Sequence, residues 1–327
     1  MCENTDSNKN PNNDDESYLP AGPLFKMFTL LIELLVLIQR VILSILKAVF
    51  EALISPRPKD IRGQTVLVTG SGNGLGKLLA IDLAKLGAHV VLVDLDEEAN
   101  EATKSEIKEA KEMGQHVYAY QCDLSKRADL HKVIGQIRKE VSKIDILVNC
   151  AGMANGRILK DCSEHAIDRV FEVNVKSQIL LTKAFLSGMI DRQRGHIVNV
   201  ASISGFIGVS GLTDYCATKF ASVGFSEALQ RELRLTKAHG VHVTAVCPAL
   251  LGAGMFGQCS PRFPAAVELE CAVQQIIDGV LTNRTVVFIP KYMKLAPPLK
   301  ELLPVRAFNA ILDFIGVTSF VKESNRH

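Results

Sequence analysis

Residues 64–76, Gln64-Thr-Val-Leu-Val-Thr-Gly-Ser-Gly-Asn-Gly-Leu-Gly76, decide how this chain is read. A short apolar run enters a cluster of glycines, and residues 75–86 then carry apolar side chains at helical spacing up to Gly87. This is strand, tight turn and helix. Gly70, Gly74 and Gly76 admit close approach of a pyrophosphate to the backbone, whose free N–H groups at the helix start meet its charge. The spacing Gly-x-x-x-Gly-x-Gly differs from the commoner dinucleotide fingerprint, and a glycine loop alone also suits a purely structural turn. Strand before and helix after point to nucleotide binding.

Working outward, residues 89–93 predict the next strand, which ends in Asp94. A carboxylate there accepts hydrogen bonds from adenosine ribose hydroxyls and repels a 2′-phosphate, so NAD is expected over NADP. A solvated turn aspartate is the plainer alternative. The pattern repeats as helix 97–113, strand 117–121, Asp123, a helix to residue 141 and strand 144–148. Such alternation builds a parallel sheet with helices on both faces. Asp123 is expected where the adenine edge lies. Asn149-Cys-Ala-Gly152 ends the fourth strand at the cofactor crevice, its small residues leaving room for ribose and nicotinamide.

Residues 195–202 read as a fifth strand that delivers Ser202 to the carboxyl edge of the sheet. Tyr215 and Lys219, at i and i+4, share one face of the following helix. A phenol with an ordinary pKa of about 10 is a poor base at neutral pH, and a neighbouring ammonium favours its ionised form. Ser202 is expected to orient a substrate oxygen between Tyr215 and a nicotinamide, and Lys219 to hold the ribose hydroxyls. Taken alone, Tyr-x-x-x-Lys is a frequent accident; the nucleotide-binding half upstream gives it meaning.

Composition narrows the partners. Among 327 residues, 37 Lys plus Arg face 35 Asp plus Glu for a formal charge of +2, with no long basic run, so nucleic acid is not an expected partner. The eight Cys and eight His lack Cys-x-x-Cys or zinc-like spacing, and no metal site is expected. The thiols read as reduced, in a domain facing the cytosol. Asn283-Arg-Thr285 matches a glycosylation acceptor, a pattern common by chance.

The two ends differ from the middle. Residues 1–23 are rich in Asn, Asp, Ser and Pro and read as a disordered leader. Residues 24–54 turn apolar, and Lys26, Glu33, Arg40, Lys47 and Glu51 fall within an arc of about 60° on a helix, joined by Thr29 and Ser44. Its length permits a membrane crossing, whereas the charged stripe favours lying in the interface. A helix packed on a protein partner is the third reading. If it crosses, the basic flank at Arg57 to Arg62 places the main domain in the cytosol. Residues 291–327 form an apolar extension, expected to be helical from Pro304, that either caps the substrate cleft or adds a second membrane contact.

Together the Thr69-Gly-x-x-x-Gly-x-Gly76 turn, Asp123, Asn149-x-Ala-Gly152, Asn174, Ser202 and Tyr215-Cys-Ala-Thr-Lys219 resemble the short-chain dehydrogenase/reductase superfamily over residues 62–290. That resemblance implies one α/β domain, a Rossmann-type doubly wound parallel sheet of about seven strands. It implies cofactor contacts at Gly70, Asn73, Gly74, Leu75, Gly76, Asp94, Asp123, Leu124, Asn149, Ala151, Gly152, Tyr215, Lys219 and Pro248. It also makes Asn174 the fourth member of a catalytic set with Ser202, Tyr215 and Lys219, holding a water in a proton relay to Lys219.

Within the superfamily, the anchor followed by Pro56-Arg-Pro-Lys59, the run Asp214-Tyr-Cys-Ala-Thr-Lys-Phe-Ala221, Cys247-Pro248, Gly254-Met-Phe256 and the apolar tail are similar to the epidermal retinol dehydrogenases and 17-beta-hydroxysteroid dehydrogenases. The likeness implies an oxidoreductase acting on retinol, with steroids and fatty alcohols or aldehydes as alternatives, at the endoplasmic reticulum membrane or a lipid-droplet surface. It also implies a homodimer. A non-catalytic membrane scaffold is the rival reading. Two departures stand out: Cys150 replaces a usual asparagine, and Ala249 and Ala253 replace a usual glycine and threonine. The second removes one cofactor hydrogen bond, about 0.5–1.5 kcal/mol. Residues 249–265 and the apolar helix after them are expected to cover the cleft.

Overall fold

Val, Ile and Leu crowd the strand positions because helices cover both faces of a parallel sheet. The computed structural model describes residues 22–53, 56–110, 114–255, 262 and 265–316. Its strands are β1 (Thr65–Thr69), β2 (His89–Asp94), β3 (Val117–Gln121), β4 (Ile146–Asn149), β5 (Gly195–Val200), β6 (Val241–Pro248) and β7 (Val286–Ile289). They form one seven-stranded parallel sheet in the order β3-β2-β1-β4-β5-β6-β7. The expected Rossmann-type sheet is borne out. The order reverses between β1 and β4, and the crevice beyond their carboxyl ends is where open α/β sheets take ligands.

The helices of this unit are α2 (Gly74–Lys85), α3 (Glu97–Ala110), α4 (Arg127–Glu140), α5 (Glu164–Phe171), α6 (Ser177–Asp191), α7 (Thr213–Leu235), α8 (Leu269–Leu281), α9 (Ala296–Leu302) and α10 (Val305–Ile315), after an N-terminal α1 (Pro23–Leu53). Alternation along β1 divides the core. Val66 and Val68 pack with Leu79 and Leu83 of α2 and Val273 and Ile276 of α8. Leu67 packs on the other face with Ile134 of α4, Leu181 of α6 and Leu229 of α7. Each fully buried aliphatic chain contributes about 1.5–3 kcal/mol.

β4 starts at Ile146 rather than Ile144, because the buried Asp145 turns its carboxylate to the Thr65 amide at 3.0 Å and hands the chain onto β1. Lys59 Nζ donates to Asn283 Oδ1 at 2.8 Å, so the asparagine of the glycosylation-like triplet is held by a side chain of the domain. After β7, Phe308 of α10 is buried and Lys300 of α9 donates to the Phe206 carbonyl at 3.0 Å. Most of the leader, the end of the helix expected to reach residue 113, part of the cover over 249–265 including Phe256, and the tail past Gly316 lie outside the described residues.

Among the described residues, α1 is the one regular element of the N-terminal unit. Its 31 residues extend about 45 Å at the helical rise. Pro23–Lys47 has a mean hydropathy of 2.2, and among the described residues α1 is the one helix long and apolar enough to cross a membrane, by length and composition. Thr29 Oγ1 and Ser44 Oγ donate back to the carbonyls of Phe25 and Arg40, at 2.9 and 2.8 Å. Both hydroxyls are thereby satisfied within the helix, which lowers the cost of surrounding them with hydrocarbon.

Candidate active site

The turn between β1 and α2 is shaped by close backbone contact. A Cβ added at Gly76 would stand 2.0 Å from the Gly70 carbonyl oxygen, so only glycine closes this turn. Thr69 then ties the turn to β4, its Oγ1 accepting from the Cys150 and Ala151 amides at 3.1 Å each. Ser71 donates to Asn100 Oδ1 at 2.7 Å, and Asn100 Nδ2 reaches the carbonyls of Leu92 and Tyr120 at 3.4 and 3.2 Å. Both residues are buried, and neither was singled out by the sequence reading.

A cleft of about 380 Å³ opens at the carboxyl edge of the sheet. It brings together Gly70, Asn73, Gly74, Leu75, Gly76, Asp94, Ala151, Gly152, Ser202, Tyr215, Lys219 and Pro248 from the sequence-based set. The apolar side chains of Val200, Leu251, Met255 and Leu269 also line it, as do Ala249 and Ala253. Four expected residues stand elsewhere. Asp123 lines a neighbouring depression and is bonded to Ser125 at 2.6 Å and to Lys126 at 3.4 Å. Burial raises its pKa, but the bonds to Ser125 and Lys126 outweigh that and hold it below the ordinary carboxylate value. Leu124 is buried in the core beside Val93 and Cys122. Asn149 and Asn174 are buried behind the cleft wall.

Asn149 Nδ2 donates to Asn199 Oδ1 at 2.8 Å, and Asn199 Nδ2 donates to Ser226 Oγ at 2.9 Å. This buried chain joins β4, β5 and α7. Asn174 occupies a widened turn, Glu172–Lys176, between α5 and α6. Its Oδ1 accepts from the Met153 amide at 2.8 Å, and its Nδ2 donates to the Met153 carbonyl at 2.9 Å and Thr218 Oγ1 at 3.0 Å. A methyl placed on Gly152 would touch Asn174 Oδ1 at 3.5 Å and Lys219 Nζ at 3.6 Å, so Gly152 fills a narrow gap between them.

Tyr215 and Lys219 lie one turn apart on α7 and are both buried. Lys219 Nζ donates to the Val200 carbonyl at 2.9 Å and stands 5.3 Å from the centroid of the Tyr215 ring. Ser202 follows β5, its Oγ donating to the Pro248 carbonyl at 3.3 Å and accepting from the Ser204 amide at 3.1 Å. Gly205 presses on α7: a Cβ there would lie 2.7 Å from the Lys219 carbonyl oxygen and 2.7 Å from Val223.

The electrostatics differ from the sequence-based expectation. Burial pushes the Tyr215 phenol above its ordinary value, and the hydrogen bond with Ser202 opposes it. Lys219 is the group that moves towards neutrality, lowered to about 8 by burial. Burial also lifts the flanking Cys150 and Cys247 thiols to about 12, so both are neutral near pH 7 and act as packing groups.

The sequence profile of the short chain dehydrogenase family matches residues 64–262. Epidermal retinol dehydrogenase 2 of Mus musculus is 40% identical over 287 residues, which cover 87% of this chain and 92% of that one. The 17-beta-hydroxysteroid dehydrogenase 13 of Homo sapiens is 34% identical over 284 residues, 87% of this chain and 93% of its own. A short-chain dehydrogenase from Sphingobium yanoikuyae solved with NADPH superimposes with a TM-score of 0.65 at 27% identity, covering 81% of this chain and 100% of that one. A metagenomic short-chain oxidoreductase solved with NADP gives 0.60 at 29% identity, covering 70% and 98%.

These last two overturn the expected preference for NAD, because the same scaffold holds the phosphorylated dinucleotide. The side chain of Asp94 is also engaged in part by its own loop. Its Oδ2 accepts from the Gly72 amide at 2.8 Å and its Oδ1 from the Asp96 amide at 2.9 Å, so this carboxylate organises its own loop. Position after the second strand alone does not define a phosphate-repelling group.

Proposed function

The chain belongs to the short-chain dehydrogenase family, and on that premise we propose that it interconverts all-trans-retinol and retinal at a membrane surface, with Tyr215 as its acid–base group. The coarser activity is that of an NAD(P)-dependent oxidoreductase of the CH–OH group in lipophilic alcohols and of the matching carbonyls. One observation carries the catalytic reading: Ser202, Tyr215 and Lys219 share a single cleft with the Gly70–Gly76 turn.

A dinucleotide fits the residues present. The turn leaves backbone N–H groups free at the start of α2, a setting that favours phosphate. Gly70, Asn73, Gly74, Leu75, Gly76, Ala151, Gly152 and Pro248 line the side of the cleft that would hold it. When bound, the dinucleotide supplies the hydride acceptor in oxidation and the donor in reduction.

The protein's own residues handle the proton and the pose. In oxidation the ionised Tyr215 oxygen takes the alcohol proton as the substrate carbon gives up its hydride, and the C–O bond becomes a carbonyl. In reduction the phenol returns that proton to the carbonyl oxygen. The hydrogen bond with Ser202 opposes the burial that raises the Tyr215 pKa. The charge of Lys219, together with that of a bound oxidised nicotinamide, would favour the phenolate, and Ser202 holds the substrate oxygen. Asn174 and Asn149 act from behind, fixing the Gly152 segment and the ends of β4 and β5.

Identity to the retinol dehydrogenase, over most of both chains, supports retinol. The apolar lining supports a large hydrophobic substrate, since burial is favoured by about 25 cal/mol per Å². The 34% identity to a hydroxysteroid dehydrogenase supports a steroid as the second reading. For α1, composition and length support membrane attachment. By family likeness we take the membrane to be the endoplasmic reticulum or a lipid droplet, and the basic flank from Arg57 to Arg62 supports a catalytic domain on the cytosolic side. The exposed Leu302 of α9 and Val305 and Phe314 of α10 support a second lipid contact. Homodimer formation completes the proposal by family likeness.

The test is turnover by purified full-length protein of all-trans-retinol, a 17-beta-hydroxysteroid and a long-chain fatty alcohol, each with NAD and NADP. Retinol is expected to give a kcat/KM at least about tenfold above the others. Preference for the steroid overturns the retinol assignment. Failure to oxidise any, or to reduce the matching carbonyls, overturns the catalytic one.

A further inference from the structure

Asp214 opens the first turn of α7, one residue before Tyr215, and is 5% exposed. Its Oδ1 accepts from the Tyr215 amide at 2.8 Å, and its Oδ2 accepts from Asn155 Nδ2 at 2.5 Å. Asn155 belongs to the loop after β4, far from α7 in sequence. The two donors engage both oxygens of a carboxylate that is otherwise costly to bury. Its charge also meets the unpaired N–H groups at a helix start, where an anion is favourable.

The same loop is fixed a second time. Asn174 grips Met153 by both its amide and its carbonyl, and Ala154 packs on the buried Leu212, Tyr215 and Cys216. The segment from Gly152 to Asn155 is therefore held at one end beside Lys219 and at the other by the first turn of α7.

We propose that Asn155 and Asp214 are a positioning pair for the reaction, tying the loop after β4 to α7 so that the Tyr215 hydroxyl faces the substrate oxygen at the required distance. This rests on the reading of Tyr215 as the acid–base group. Neither residue touches the reacting atoms; both act through the backbone that carries Tyr215. A charge-assisted hydrogen bond of this kind is about twice as strong as a neutral one. A misplacement of about 1 Å at a reacting group costs about 100-fold in rate. Two residues outside the expected catalytic set are thereby assigned to rate.

The test exchanges the pair in the full-length protein, with all-trans-retinol and both NAD and NADP. Asn155→Asp sets two carboxylates against each other, and adding Asp214→Asn restores a single carboxylate with the donor reversed. The single variant is expected to lose at least about tenfold in kcat with dinucleotide KM within about twofold of the parent. The exchanged pair is expected to return to within about threefold of the parent. Asn155→Leu is expected to show the same kcat loss and no rescue by Asp214→Asn. Parental kcat in Asn155→Asp and Asn155→Leu overturns the proposal, and so does an exchanged pair no better than Asn155→Asp alone. Should Asn155→Asp fail to fold, folded yield replaces kcat: recovery in the exchanged pair supports the proposal, and equal failure overturns it. Tyr215→Phe, measured alongside, separates the premises. If it is fully active, the acid–base reading falls; if it is inactive while the Asn155 variants are parental, only the positioning pair falls.

Discussion

The Lys219 ammonium stands 5.3 Å from the centroid of the Tyr215 ring. Both side chains are buried, and the lysine is anchored to the Val200 carbonyl rather than to a carboxylate. Its pKa, ordinarily 10.5, is lowered to about 8 by that burial. In the window from about 8 to 10.5 the unfolded chain binds a proton that the folded chain lacks, so stability rises with pH there. Below about 8 the full cost of a buried charge is present. Lys219→Met is therefore expected to be more stable than the parent at neutral pH, with the advantage shrinking as pH rises through that window. Urea denaturation on either side of the window checks the sign. A pH-independent difference contradicts it.

Tyr215→Phe removes the hydroxyl and keeps the ring that packs with Leu212 and Cys216. Alcohol oxidation is expected to fall at least about 100-fold, the scale of general acid–base catalysis, while dinucleotide affinity stays parental. Steady-state rates and fluorescence titration of the dinucleotide separate the two quantities. Undiminished turnover removes Tyr215 from the proton transfer.

Gly76→Ala places a methyl 2.0 Å from the Gly70 carbonyl oxygen and forces the turn open. Loss of NAD and NADP binding together is the expected outcome, since both place phosphates at the same helix start. Calorimetric titration showing parental affinity for either dinucleotide refutes that placement.

Asn199→Ala strips Asn149 Nδ2 of its 2.8 Å partner and Ser226 Oγ of its 2.9 Å donor inside the core. Asn149 Nδ2 keeps Thr182 Oγ1 at 3.4 Å and Ser226 Oγ keeps the Ser222 carbonyl at 2.8 Å, so the loss of two buried hydrogen bonds is expected to destabilise by about 1–3 kcal/mol. Chemical denaturation measures it. A change near zero means that the two remaining polar groups re-pair without β4, β5 and α7 being held together.

Removal of residues 23–53 is expected to shift the protein from the membrane fraction to the soluble fraction of expressing cells. Floatation on a density gradient distinguishes lipid attachment from aggregation. Unchanged membrane recovery transfers the anchoring role to α9 and α10 or removes it.

The sheet was legible because its determinants are local: apolar runs, glycine turns and helical periodicity repeat from Gln64 to Val148. Ser202, Tyr215 and Lys219 were legible because their order along the chain places them at one sheet edge. Asp94 was misread because position and charge do not reveal that the Gly72 and Asp96 amides take up its oxygens. The burial that raises the Tyr215 pKa was not legible, because an adjacent lysine can be counted in a sequence whereas burial cannot. Asp214 carried a readable sign, an acidic residue in the first turn of a helix. Asn155 carried none; only the folded loop brings it to 2.5 Å from that carboxylate.

The tight seat of Gly205 against the Lys219 carbonyl and Val223 locks the serine-bearing turn onto α7. Ser202, Tyr215 and Lys219 are consequently mounted on one frame, which meets the Ala249–Met255 lining of the cleft through the Ser202 bond to the Pro248 carbonyl. A change of side chain along that lining alters what the cleft admits without touching the seat that fixes the proton-handling groups.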